Sequence, residues 1–96
     1  MQDYNQALIR LADKQLNRFA TLLQRHTRMA NDYIKRNYDF DVDTVFDLLE
    51  DSETKLALAY ANVRDANAYN ANVVVNSNLL REINQNIKAI ELELNY

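Results

Sequence analysis

Apolar residues recur through the first third of the chain at Ile9, Ala12, Leu16, Phe19, Leu23, Ala30 and Tyr33, with His26 filling the one gap in the series. Steps of three and four alternate throughout, so these positions share one side of a helix and the polar residues between them share the other. Leu22 and Met29 flank the seam and widen it to the stripe of a helix that packs in a bundle. A first helix is therefore predicted over about residues 3–38, roughly 50 Å long at the α-helical rise per residue.

The period lapses at residues 37–43, which read N-Y-D-F-D-V-D. Asp and Asn satisfy local backbone groups in turns and at helix starts, so an acidic loop is expected at residues 39–43, with Asp41 or Asp43 capping the next helix. A second seam then runs from Leu49 through Leu56, Ala59, Val63, Ala66, Val73, Leu80 and Ile87 to Leu94, with Ser52, Asn70, Ser77, Asn84 and Glu91 at equivalent positions. Its helix is predicted over about residues 44–95. The stretch N-A-N-V-V-V-N-S-N at residues 70–78 combines poor helix formers with a β-branched run and marks a potential break there. Against a break, no Gly or Pro ends the helix.

These elements predict an all-α fold, an antiparallel helical hairpin with a long second helix, with a three-helix bundle folded back near residue 76 as the alternative. In the hairpin the second helix outruns the first. Leu80, Ile83, Ile87, Ile90 and Leu94 then form an apolar stripe with no intrachain partner, and that stripe is the expected partner interface. At roughly 1.5 to 3 kcal/mol per buried side chain it is sufficient to drive association.

Composition narrows the chemistry. The 96 residues contain no Gly, Pro or Cys. Glycine-rich phosphate loops, dinucleotide fingerprints and nucleophile elbows need backbone at positive φ or in close approach to a ligand, so those readings are excluded. Without Cys there is no disulfide framework, thiolate catalysis or sulfur-ligated zinc. No apolar run approaches membrane-spanning length, and no apolar segment follows Met1. The expectation is a cytoplasmic protein, or part of a secreted or virion assembly exported without a signal peptide.

Charge is segregated along the chain. Residues 1–38 carry seven basic and three acidic groups, whereas residues 39–96 carry four basic and eleven acidic. Arg10, Lys14, Arg18, Arg25, Arg28 and Lys35 follow one another on the side of the first helix away from its seam. Such a stripe can contact phosphates. The net charge of −3 and the lack of aromatic residues within the stripe favour a solvated face instead, partly neutralised by the acidic start of the second helix beside Arg28, Lys35 and Arg36. A nucleic-acid partner is therefore disfavoured.

The sharpest spacing is Asp39, Asp41, Asp43, Asp47 and Glu50, which occupy positions one, three, five, nine and twelve of a twelve-residue window between helices. This window resembles the calcium loop of the EF-hand family, with Val45 offering its carbonyl, and the resemblance implies a calcium-binding alternative. It departs from the family at position six, where Thr44 stands in place of the turn-forming Gly. The other reading is an acidic loop that caps the second helix.

His26 is the only histidine, and its place on the seam predicts a buried or interface side chain rather than a metal ligand. Ser52 and Ser77 lie far from it in sequence with no exposed strained turn, so no catalytic group is expected. No cofactor is expected either. Asn and Ser at seam positions are a known means of fixing register and oligomer state. The functional expectation is a non-enzymatic helical protein acting by self-association, as a homo-oligomer, or by binding a partner helix. A small structural, assembly or adaptor/chaperone subunit of a larger bacterial or viral machine has this character. Small hairpin subunits of type III secretion needles and inner rods are similar in general style, though no motif carries that likeness.

Overall fold

In the computed structural model three helices follow one another, α1 (Gln2–Lys35), α2 (Val42–Tyr69) and α3 (Val74–Glu93). Residues 2–69 and 74–95 are described, with side chains over residues 7, 9–64 and 77–95. The fold is all-α, and of the two arrangements anticipated from the sequence the chain has the three-helix one. The single helix expected over about residues 44–95 is two helices. Asn86 Nδ2 donates to Asp51 Oδ2 over 2.8 Å, and Lys55 Nζ lies 3.6 Å from Glu82 Oε2, so α3 runs back along α2. Residues 70–73, including Asn70 and much of the anticipated break, lie outside the described residues. No helix among the described residues is long and apolar enough to cross a membrane.

Asparagine stands in for the missing glycine where α1 ends. Asn37 sits at φ 57°, in the left-handed region, which Asn tolerates better than most side chains. Its N–H donates to the Ile34 carbonyl over 3.2 Å, and the Tyr38 N–H reaches the Tyr33 carbonyl over 2.9 Å, the paired bonds of a Schellman motif. The apolar contact that accompanies this motif is an edge-to-face pair, with the Tyr33 and Tyr38 rings 5.0 Å apart. α1 therefore stops short of residue 38. Asn95, at φ 55°, occupies the equivalent place after α3.

α2 begins two residues earlier than expected because Asp41 is its cap. Asp41 Oδ1 accepts the Thr44 N–H over 3.1 Å, and the Asp41 carbonyl accepts the Val45 N–H. Hydrogen bonds from the Thr44 side chain and backbone hold the Asp41 carboxyl below its ordinary value. Phe40 precedes the cap and Val45 lies at the fourth helical position, the placement of a hydrophobic staple. Phe40 packs against the core, its ring 5.9 Å from that of Tyr33.

One core receives side chains from all three helices. Leu16, Leu23 and Ala30 come from α1, Val45, Leu49 and Ala59 from α2, and Ile83, Ile87, Ile90 and Leu94 from α3 and its end. The fully covered Ala30 and Ala59 leave room for neighbouring helices to approach. Ser52 is buried without loss of hydrogen bonding, because its Oγ donates to the Leu48 carbonyl over 2.7 Å. Polar links then fix the register. Tyr60 Oη donates to Asn17 Oδ1 over 2.6 Å between α1 and α2, and Tyr33 Oη donates to the Leu94 carbonyl over 3.3 Å between α1 and the end of α3. The described residues form a body 53 Å long and 17 by 16 Å across.

Two substitutions test this arrangement. Asn37→Ala should lower stability by about 1 kcal/mol, the cost of a left-handed alanine, and Asn37→Gly should not, as measured by urea unfolding. Ile83→Asp buries an unpaired charge where exposure is 0%, and should abolish cooperative unfolding and most of the circular dichroism. Leu92→Asp, at a position 79% exposed on the same helix, should leave both unchanged.

Candidate functional site

The stripe expected to face a partner faces the interior. Ile83 and Ile90 are fully covered, Ile87 and Leu94 nearly so, and all four belong to the intrachain core. The expectation of a partner interface at these residues assumed that α3 continues beyond α2. Because α3 folds back, α1 and α2 cover them. Leu80 differs from the other four, being only half-buried at the margin of the core.

The two charged constellations also separate on the structure. Arg10, Lys14, Arg18, Arg25, Arg28 and Lys35 are all exposed on α1, turned from the core, as the seam implies. The expected neutralisation by the start of α2 is not found. Arg36 pairs instead with Asp32 of its own helix, Nε to Oδ2 over 3.3 Å, and no ion pair among the described residues joins α1 to α2. The calcium alternative is corrected more sharply. α2 starts at Val42, so Asp43, Asp47 and Glu50 lie on a helix that carries them along its axis instead of curling round an ion with Asp39 and Asp41. Among the described residues no three acidic or histidine side chains are grouped to hold a metal.

What the structure does bring together is a groove between α1 and α3. These two helices run parallel and touch each other less than either touches α2. Between them lies an open hollow of about 620 Å³. Phe19 and Ile87 form its floor, and the half-buried Leu22 and Leu80 form its walls. Arg18 of α1 and Arg81 and Lys88 of α3 stand at its rim, exposed, with Glu91 the one carboxylate in the lining. Asn78 Oδ1 accepts a hydrogen bond from Arg81 Nη2 over 2.7 Å, which fixes that guanidinium. None of the three rim cations takes part in an ion pair among the described residues.

Ser77, Asn84 and Glu91, the polar interruptions of the second seam that fall on α3, all line this groove. They recur every seven residues with Leu80 and Ile87 between them. A polar residue at every second seam position keeps that side of α3 from closing on α1, and this is the one sequence signal that could have located the groove. It is not recognisable as such while α3 is read as the tail of a longer helix.

His26 lies within the core beside the Glu91 end of the groove. Burial disfavours the imidazolium and holds His26 below its ordinary value. Glu91 opposes this more weakly than burial favours it, and the Arg25 charge adds to the effect of burial. No family model matches the chain, and neither a curated protein nor a solved structure shows significant similarity to it.

The contribution of His26 to stability therefore depends on pH in one direction. The unfolded chain, with His26 near 6.5, takes up a proton before the folded chain does, so stability is full above that value and declines as pH falls below it. Urea midpoints should drop between about pH 7.5 and 5.5. His26→Gln should flatten this slope, and an identical slope in the variant would assign the titration to another group.

Proposed function

We propose that this chain is a non-enzymatic helical protein that acts by association. It accepts a helix, from a partner or from a second copy, as a small structural, assembly or adaptor subunit does. The observation that carries this reading is the groove between α1 and α3, where Leu22 and Leu80 stay half-covered although the core beneath them is filled. A helix laid antiparallel to both would complete an up-down-up-down four-helix bundle, the usual way in which helices with short connections share apolar faces. The groove is about 21 Å long between the levels of Ser77 and Glu91, the length of four helical turns.

Catalysis is not part of the reading. The hydroxyl of Ser52 is committed to the Leu48 carbonyl in a fully covered position, and His26 is held inside the core. Ser52 and His26 therefore do not act together as nucleophile and base on a common substrate.

The test uses two measurements on the full chain. One is molar mass by light scattering over a hundredfold concentration range. The other is fluorescence anisotropy with a labelled, uncharged amphipathic peptide of about 18 residues bearing Leu at three and four spacing. Concentration-dependent mass or peptide binding is expected, weakened at least about tenfold by Leu80→Gln with an unchanged dichroism spectrum. A constant monomeric mass together with no peptide binding would remove the proposal.

A further inference from the structure

We infer that the groove between α1 and α3 is a docking site for an acidic amphipathic helix of a partner protein. This deepens the proposed function and rests on it. Charge and shape select the occupant together. The floor and walls, Phe19, Leu22, Leu80 and Ile87, offer an apolar strip of the width that a single helix face fills. Arg18 rises on one side of that strip, and Arg81 and Lys88 on the other. A helix with leucines facing down and carboxylates on both flanks meets apolar surface with apolar surface and each rim with the opposite charge.

Arg81 and Lys88 stand in the acidic part of a chain whose net charge is −3. Eleven of its fourteen acidic residues lie from residue 39 onward, yet the α3 side of the groove presents Arg81 and Lys88 against the single carboxylate Glu91. Lys55 pairs with Asp51 over 2.6 Å and Arg36 with Asp32, whereas Arg18, Arg81 and Lys88, like the other Lys and Arg side chains among the described residues, enter no ion pair; what distinguishes these three is that they flank an apolar strip. The groove cations are left for an outside anion. Arg81 is moreover held in place by Asn78, which reduces the freedom it would lose on pairing.

A second copy supplies the wrong helix. The acidic outer face of α2 carries Asp43, Asp47, Glu50 and Thr54, all exposed, with Leu58 the one large apolar residue in line with them. That face matches the rim but has no seam to seat between Leu22 and Leu80. A nucleic acid has the charge but not the complement to the floor. The walls are aliphatic and the single aromatic, Phe19, is 6% exposed, too covered for a base to stack on it.

The experiment extends the anisotropy measurement to three peptides with the same leucine spacing, flanked by Glu, by Gln or by Lys, and to a single-stranded oligonucleotide. With the wild-type chain at low salt, the Glu peptide should bind about tenfold more tightly than the Gln peptide, the Lys peptide should bind least, and the preference should shrink as salt is raised. Arg18→Glu/Arg81→Glu/Lys88→Glu alters exposed positions alone. It should keep the wild-type dichroism and melting profile and invert the order, so that the Lys peptide binds best. Equal binding of the three peptides would overturn the acidic-partner inference and leave the helix-docking function standing. Binding of none, with a monomeric mass, would overturn both. Tighter binding of the oligonucleotide than of the Glu peptide, or a dimer whose formation the triple variant abolishes, would also overturn it, in favour of a nucleic acid or a second copy as occupant.

Discussion

The apolar stripe of α3 has to be covered, and most of the fold depends on how that is done. A helix continuing from α2 would keep every backbone hydrogen bond through the junction but leave Ile83, Ile87, Ile90 and Leu94 in water. Burying those four side chains is worth roughly 6 to 12 kcal/mol, whereas the few hydrogen bonds given up in a reversal contribute about 1 kcal/mol each. Asn and Val are poorer helix formers than Ala or Leu, so a helix end in this part of the sequence forgoes less than it would in a Leu-rich stretch. Once α3 lies against α2, the pairing of Asn86 with Asp51 and of Lys55 with Asp51 and Glu82 sets its level along the bundle. Two hydrogen-bonding partners also hold the Asp51 carboxyl below its ordinary value, with Lys55 the stronger of the two.

A chain without glycine has to terminate helices by other means. Asn37 and Asn95 take left-handed conformations, and around Asn37 the aromatic rings of Tyr33 and Tyr38 supply the apolar contact that accompanies such an ending. Tyr33 is a shared part. It packs on Tyr38 and Phe40, and its hydroxyl reaches the carbonyl of Leu94, so the end of α1, the connection to α2 and the end of α3 meet at one side chain. The base of the bundle is thereby tied together by a residue that the seam of α1 marks only as apolar.

Much of this was legible in the sequence. The three and four spacing of Ala12, Leu16, Phe19 and Leu23 predicted α1 and its buried side, the Asp-rich run predicted the connection, and Asp41 was one of two candidate caps. The fold-back of α3 was not decided by the same reasoning, because periodicity reports which residues share a face but not what covers that face. Ile83 and Ile87 give the same pattern whether a second protein or α1 lies against them. The stop signals that usually separate such cases, Gly and Pro, are missing from this chain. The acidic window misled for a related reason. Its spacing matches a cation loop in the extended count of residues, and the cap at Asp41 converts most of it to helix before an ion could be enclosed. The groove was hidden in plain view as Ser77, Asn84 and Glu91, which were legible as polar seam positions but acquire a location only when α3 is placed beside α1.

The apolar surface that holds the fold together and the surface that the groove offers are separate in this molecule. The isoleucines that hold α3 to the bundle are fully or nearly covered, so their energy is used within one chain and none of it is available to a partner. What the groove retains is smaller: two half-covered leucines, a narrow floor and a charged rim. On the function proposed above, a groove of that size gains little from apolar burial alone, and discrimination between partners would come from the rim, where opposite charges steer encounter and like charges exclude it. The groove-facing Ser77, Asn84 and Glu91 fit that division. Replacing them with leucines would close α3 onto α1 and add to the core, with loss of the hollow between these two parallel helices. Ser77, Asn84 and Glu91 thus differ from Ser52, which is absorbed into the core, and what they line is the gap.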